Sequence, residues 1–112
     1  MEIQLEINNK EVLVITLKGR MDIKGAMEID LTFTARVRGQ RAVIVDMSGV
    51  EFLASMGLRT IIMGAKSVKA AGGKMVLMGP DANVLEVLTA SGTTTVIPVV
   101  STLAEAEATV LP

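Results

Sequence analysis

Four consecutive apolar residues, Ala42-Val43-Ile44-Val45, run without polar alternation, and from Phe52 onward the apolar spacing changes to threes and fours. A short, largely β-branched run of this kind reads as a buried parallel strand, and the spacing that follows reads as a helix. Ser55 lies where the period changes. A serine at a helix start accepts hydrogen bonds from the free N–H groups of the first turn, so Ser55 is expected to be the N-cap. Its replacement by alanine is then expected to cost about 0.5–2 kcal/mol without unfolding a helix held by Leu58, Ile61, Ile62 and Ala65. The same position suits a phosphate, which those N–H groups and the helix dipole favour.

The rest of the chain alternates in the same way. Ile3 to Ile7 and Val12 to Leu17, separated by Asn8-Asn9-Lys10-Glu11, predict a hairpin. Ile23 to Val37 predicts a helix whose apolar periodicity is Ile23, Ala26, Met27, Leu31 and Phe33, stopped at Gly39. Ala42 to Asp46 is the central strand, and a second helix carrying Leu58, Ile61, Ile62, Ala65, Val68 and Lys69 stops at Gly72-Gly73. Met75 to Met78 predicts a strand, Ala82 to Ala90 a helix after Gly79-Pro80-Asp81, Thr94 to Val99 a last strand, and Ser101 to Leu111 a terminal helix. Thr102 and Glu105 have the spacing of a capping box at its start. The expectation is one α/β domain over residues 1–112, with a mixed, mostly parallel sheet, an N-terminal antiparallel hairpin and about four helices. Loops leaving the carboxyl ends of parallel strands gather on one rim, so the turns at Asp22, Ser55 and Pro80 are expected to converge there.

Composition removes several functions. With 50% hydrophobic and 21% charged residues the chain has material for a core. A net charge of −1 and only two aromatic residues, both Phe, argue against nucleic acid as a partner. Without Cys or His there is no disulfide, thiolate nucleophile, Ser-His-Asp triad or ordinary zinc site, and any metal would need carboxylates alone. No nucleophile with an evident base is found, so neither a catalytic residue nor a cofactor is assigned. Met1-Glu2-Ile3-Gln4-Leu5-Glu6 alternates as a strand does and not as a signal peptide, and no segment approaches the roughly 18 apolar residues of a membrane span. Cytoplasmic location without membrane insertion is the expectation.

Several conspicuous residues have structural readings. Asp46 resembles a receiver-type phosphoacceptor, but that site needs an acidic pair near the first strand, and the sequence there is Leu17-Lys18-Gly19-Arg20. Asp46 and Ser48 are expected to hold the following loop through backbone N–H groups, with Gly57 as a further structural position. Met47, Met63, Met75 and Met78 fall on core-like periods, whereas Met56 on the first helical turn is expected to be partly exposed and free to touch a partner. Gly72-Gly73 and Gly79-Pro80-Asp81 lack the spacing of a phosphate-binding loop.

The stretch Asp46-Met47-Ser48-Gly49-Val50-Glu51-Phe52, followed by Ser55-Met56-Gly57-Leu58, resembles the signature of the STAS domain and of its bacterial anti-sigma factor antagonist branch. Gly19-Arg20-Met21-Asp22 and Gly72-Gly73-Lys74-Met75-Val76-Leu77 are similar to two further family motifs, in the right order. Ala54 stands where the family has an acidic residue. The resemblance implies a protein switch. The unphosphorylated domain binds an anti-sigma factor that is also a serine kinase of histidine-kinase-like fold, which frees a sigma factor. The kinase phosphorylates the serine matched by Ser55, and a phosphoserine phosphatase restores it. Partner contacts are then expected from Asp22, Ser55, Met56 and Arg59. A second reading is a constitutive interaction subunit of a lipid or anion transporter, in which Ser55 is only a cap and a contact.

Overall fold

The computed structural model describes residues 1–112. Its sheet has the order β1-β2-β3-β4-β5, with β1 (Glu2–Ile7) antiparallel to β2 (Leu13–Met21) and β3 (Ala42–Leu53), β4 (Lys74–Met78) and β5 (Val99–Val100) parallel. Helices α1 (Ile23–Val37), α2 (Ser55–Ala70), α3 (Ala82–Ala90) and α4 (Leu103–Val110) complete the α/β fold expected from the sequence.

Side-chain alternation along the strands explains the two-sided apolar run. Leu13, Ile15, Leu17, Val43, Val45, Met47, Met75 and Leu77 belong to the main core with Ala26, Ile29, Phe33 and Val37 of α1, Ile61 and Val68 of α2, and Val84 and Leu88 of α3. Ile44 and Val76 point the other way and meet Ala106 and Val110 of α4. Thus β3 is apolar in succession because it is covered on both sides.

Local signals set most element ends. Asp22 caps α1, its carboxylate accepting from the Gly25 N–H at 2.8 Å, and Asp81 does the same for Val84 N–H in α3. Thr102 and Glu105 form the expected capping box of α4. Gly72, at φ +81°, ends α2.

Four expectations are corrected. The central strand runs on past Asp46 to Leu53, with irregularities in its pairing to β2 between Thr16 and Lys18 and between Gly19 and Arg20. At each, β3 carries one residue more than β2, which is the signature of a bulge and adds local twist. The predicted strand Thr94 to Val99 is mostly something else: Thr93–Thr95 form a single 3₁₀ turn after left-handed Gly92, and β5 is only Val99–Val100. On α1 the buried face is Ala26, Ile29, Phe33 and Val37, whereas Ile23, Met27 and Leu31 are 63, 68 and 84% exposed. On α2, Met63 is likewise exposed rather than in the core.

Helices α1 and α2 lie side by side because Gly64 presents no side chain to Phe33. A Cβ at position 64 would come within 2.5 Å of the Phe33 ring and 3.4 Å of Met75. Alanine raises helix propensity by about 1 kcal/mol over glycine, but overpacking a closed core costs about 1–3 kcal/mol or more. Gly64→Ala is therefore expected to lower stability by a net amount of about 1–2 kcal/mol in urea melts. Phe33→Leu in the same chain is expected to recover part of that loss, and strictly additive effects of the two changes would refute the contact as its cause.

Candidate functional site

The Ala54 amide donates to the Met21 carbonyl at 3.0 Å, extending the β2–β3 pairing by one step where both strands end. Asp22 follows Met21 and starts α1, and Ser55 follows Ala54 and starts α2. The two helix starts are therefore neighbours on one rim, as the sequence predicts for Asp22 and Ser55. The Pro80 turn is elsewhere, in a depression with Gly79, Leu85, Val99, Val100 and Ser101 at the end of β5. Because β3 outlasts its pairing with β4, which stops at Asp46–Met78, the ends of β2 and β3 stand apart from that turn.

Ser55 is not the N-cap. That position is Ala54, which has no capping side chain, and Ser55 is the first residue of α2. Its side chain is exposed and takes part in no hydrogen bond, whereas the hydroxyl of Ser48 donates to the Asp46 carboxylate at 2.7 Å. Asp46 also accepts from the Ser48 backbone N–H at 3.0 Å, the local bracing expected of it, although the brace lies within β3 rather than in a loop. Gly57 belongs to the first turn of α2 and not to a loop. A Cβ there would meet Met21 Cγ at 2.7 Å and Leu53 Cδ1 at 2.8 Å. The bare glycine thus lets the helix start rest on the strand ends and fixes where Ser55 emerges.

Around this rim Arg20 and Asp22 have definite partners and Arg59 does not. Arg20 Nε is 3.7 Å from Asp22 Oδ2, and its guanidinium lies over the Phe52 ring, 4.5 Å from the centroid. The Gly25 N–H bond, with the charge of Arg20 beside it, holds the Asp22 carboxyl below its ordinary pKa, so it stays ionised at neutral pH. Arg59 is exposed and takes part in none of the ion pairs.

Behind the rim a groove of about 510 Å³ runs between α1 and α2. Met27, Leu31, Met56 and Met63 supply apolar walls, while Arg59, Asp30 and Thr60 add polar groups. Thr60 donates to Asp30 Oδ1 at 2.9 Å, closing the groove floor. Met56, 38% exposed, is at this edge as expected. Met27, Leu31 and Met63 were not singled out as surface residues by the sequence reading. For Met27 and Leu31 the signal is a second apolar row on α1, Ile23, Met27 and Leu31 at intervals of four, beside the buried row Ala26, Ile29, Phe33 and Val37. No group of three or more Asp, Glu, His or Cys side chains is placed to hold a metal ion, and no helix is long and apolar enough to cross a membrane.

The sequence pattern of the STAS domain matches residues 2–106. The chain is 30% identical over 89 residues to BtrV of Bordetella bronchiseptica, a proposed anti-sigma factor antagonist, covering 79% of this chain and 77% of that one. Its fold is similar to an anti-sigma factor antagonist (STAS) domain protein from Planctomyces limnophilus, with a TM-score of 0.86, 28% identity, and 96% and 95% of the two chains covered. It is also similar to the Bacillus cell fate determinant SpoIIAA in its phosphorylated form, with a TM-score of 0.71, 22% identity, and 96% and 98% covered. With the five-stranded mixed sheet, the paired helix starts and nearly the whole length matched, the chain belongs to the STAS domain family.

Proposed function

We propose that this protein is an anti-sigma factor antagonist whose binding to an anti-sigma factor is switched by phosphorylation of Ser55. The observation that carries the reading is the state of Ser55 itself: an exposed hydroxyl with no hydrogen bond, on the first residue of a helix and beside a partly apolar rim. A serine that braced the fold could not be modified without structural cost. The antagonist role draws support from BtrV and from the Planctomyces protein, and the switch from the existence of SpoIIAA in a phosphorylated form.

In this reading the chain is ligand and substrate, not catalyst. The unphosphorylated rim, with Asp22, Ser55, Met56 and Arg59, binds the anti-sigma factor, which is also the kinase. Ser55 Oγ attacks the γ-phosphorus of ATP, the bond to ADP breaks, and the hydroxyl proton is released. A phosphoserine phosphatase then cleaves the ester with water, giving back the hydroxyl and inorganic phosphate. The phosphate brings about −1.5 to −2 charges to a position where the free N–H groups of α2 and its dipole tolerate it. The fold stays and the surface changes. An interface closed over that dianion would have to desolvate it, which is costly.

Incubation with the anti-sigma kinase and ATP, followed by peptide mass spectrometry, is expected to map one phosphate to Ser55. Its appearance chiefly on Ser48, Ser67 or a threonine would overturn the assignment. Ser55→Ala is expected to accept no phosphate and, because Ser55 is not the cap, to melt within about 0.5 kcal/mol of the wild-type chain.

Ser55→Asp is expected to weaken binding to the anti-sigma factor by calorimetry, and Met56→Ala to weaken it by loss of apolar contact, with circular dichroism unchanged in both. Aspartate in the first turn of a helix is favourable, so a loss of binding would not reflect a damaged α2. Full affinity in both variants would place the interface elsewhere and favour a constitutive subunit.

A further inference from the structure

Arg59 is four residues beyond Ser55 on α2, and both side chains are exposed. Residues at this interval share a helix face with Cβ atoms about 5–6 Å apart. A long side chain on a helix leans toward the N-terminus, over the turn before its own Cα, so Arg59 covers the surface next to Ser55. We infer that Arg59 receives the phosphate of Ser55 and holds it against α2, an inference that rests on the phosphorylation reading above.

The surroundings favour Arg59 over other cations. Arg20, the other arginine of the rim, is already engaged by the Asp22 carboxylate and the Phe52 ring. Lys66 lies two further turns along α2, and Lys24, on the first turn of α1, is close enough to Glu28 to influence its ionisation. Among the carboxylates, Asp30 lines the groove with one oxygen taken by Thr60, Asp22 starts α1 bound to Gly25 and Arg20, and Glu51 lies on the last stretch of β3. All three repel a phosphate, and none holds Arg59 in an ion pair. A negative group N-terminal to a positive one at this interval is the favourable order on a helix, and a guanidinium meets phosphate oxygens through two parallel N–H bonds.

The pairing has a consequence for the groove. Arg59 stands on its wall between Met56 and Met63 and is the cation among its lining residues. Once tied to a group of about −2 charge, that wall changes from cationic to net anionic. A partner carboxylate that would approach Arg59 in the unmodified protein then meets repulsion at the same place.

The test uses the full chain with phosphoserine installed at position 55 during synthesis, so no kinase is needed. Phosphorus NMR follows the second phosphate ionisation, near pH 6 for a free phosphoserine. Relative to wild type, Arg59→Gln is expected to move that ionisation to higher pH, Arg59→Lys to fall between them, and Arg20→Gln to leave it in place. The difference between wild type and Arg59→Gln is expected to shrink in 1 M salt, where the screening length is about 3 Å. Identical titrations of wild type and Arg59→Gln, or a change produced by Arg20→Gln instead, would overturn the inference. Failure of a kinase to modify Ser55 would overturn the phosphorylation reading and leave this titration unaffected.

Discussion

The hydrogen bond from the Ala54 amide to the Met21 carbonyl is where this fold becomes a site. It ties the last residues of β2 and β3 together, and each strand passes almost at once into a helix. Two helix N-termini are thereby held side by side at the edge of a rigid sheet. Gly57 completes the arrangement by letting the first turn of α2 sit on Met21 and Leu53, which are both buried. Neither contact involves the hydroxyl of Ser55. Position is fixed by backbone and core, and the side chain is left exposed and without a hydrogen bond.

This division of labour explains how far the sequence was legible. The ends of α1 and α3, the capping box and the stop at Gly72 rest on chemistry within a few residues, and they stand as read. The full length of β3 was not legible, because Ser48, Gly49 and Glu51 interrupt the apolar run in the manner of a loop. It is the pairing of Gly49, Val50, Phe52 and Leu53 with β2, a contact distant in sequence, that carries the strand on through the bulges where Ser48 and Glu51 have no partner. Thr93–Thr95 mislead for the opposite reason: the β-branched residues favour a strand, but left-handed Gly92 and the contact of Ser91 with Thr93 at 2.8 Å turn the chain into a short 3₁₀ segment.

The site was only half legible. Asp22, Ser55, Met56 and Arg59 were recognisable from motif and helix phase, and the last two line one groove. The rest of that groove was hidden by an ambiguity on α1, whose apolar residues form two rows, so periodicity alone cannot say which row is inside. The structure buries Ala26, Ile29, Phe33 and Val37, with Gly64 providing the room for Phe33, and leaves Ile23, Met27 and Leu31 outside. A row of large apolar side chains left exposed next to a free arginine is unlike an ordinary solvated helix face, and it has the mixed character of a protein-binding surface.

Ala54 acquires a physical meaning in this setting. An acidic side chain at the N-cap would satisfy a first-turn N–H and place a negative charge beside Ser55 in every state of the protein. With alanine there, the helix start is uncapped by any side chain and the nearest rim carboxylate, Asp22, is committed to Gly25 and Arg20. The unmodified rim therefore has free N–H groups and the unpaired charge of Arg59 as its main electrostatic features. A phosphate on Ser55 would reverse both at once: it would supply the missing negative charge at the helix start and neutralise the cation one turn later. With no permanent carboxylate at position 54, the same added charge would carry the rim from net positive to net negative, whereas a fixed carboxylate would already have offset Arg59 before any phosphate arrived.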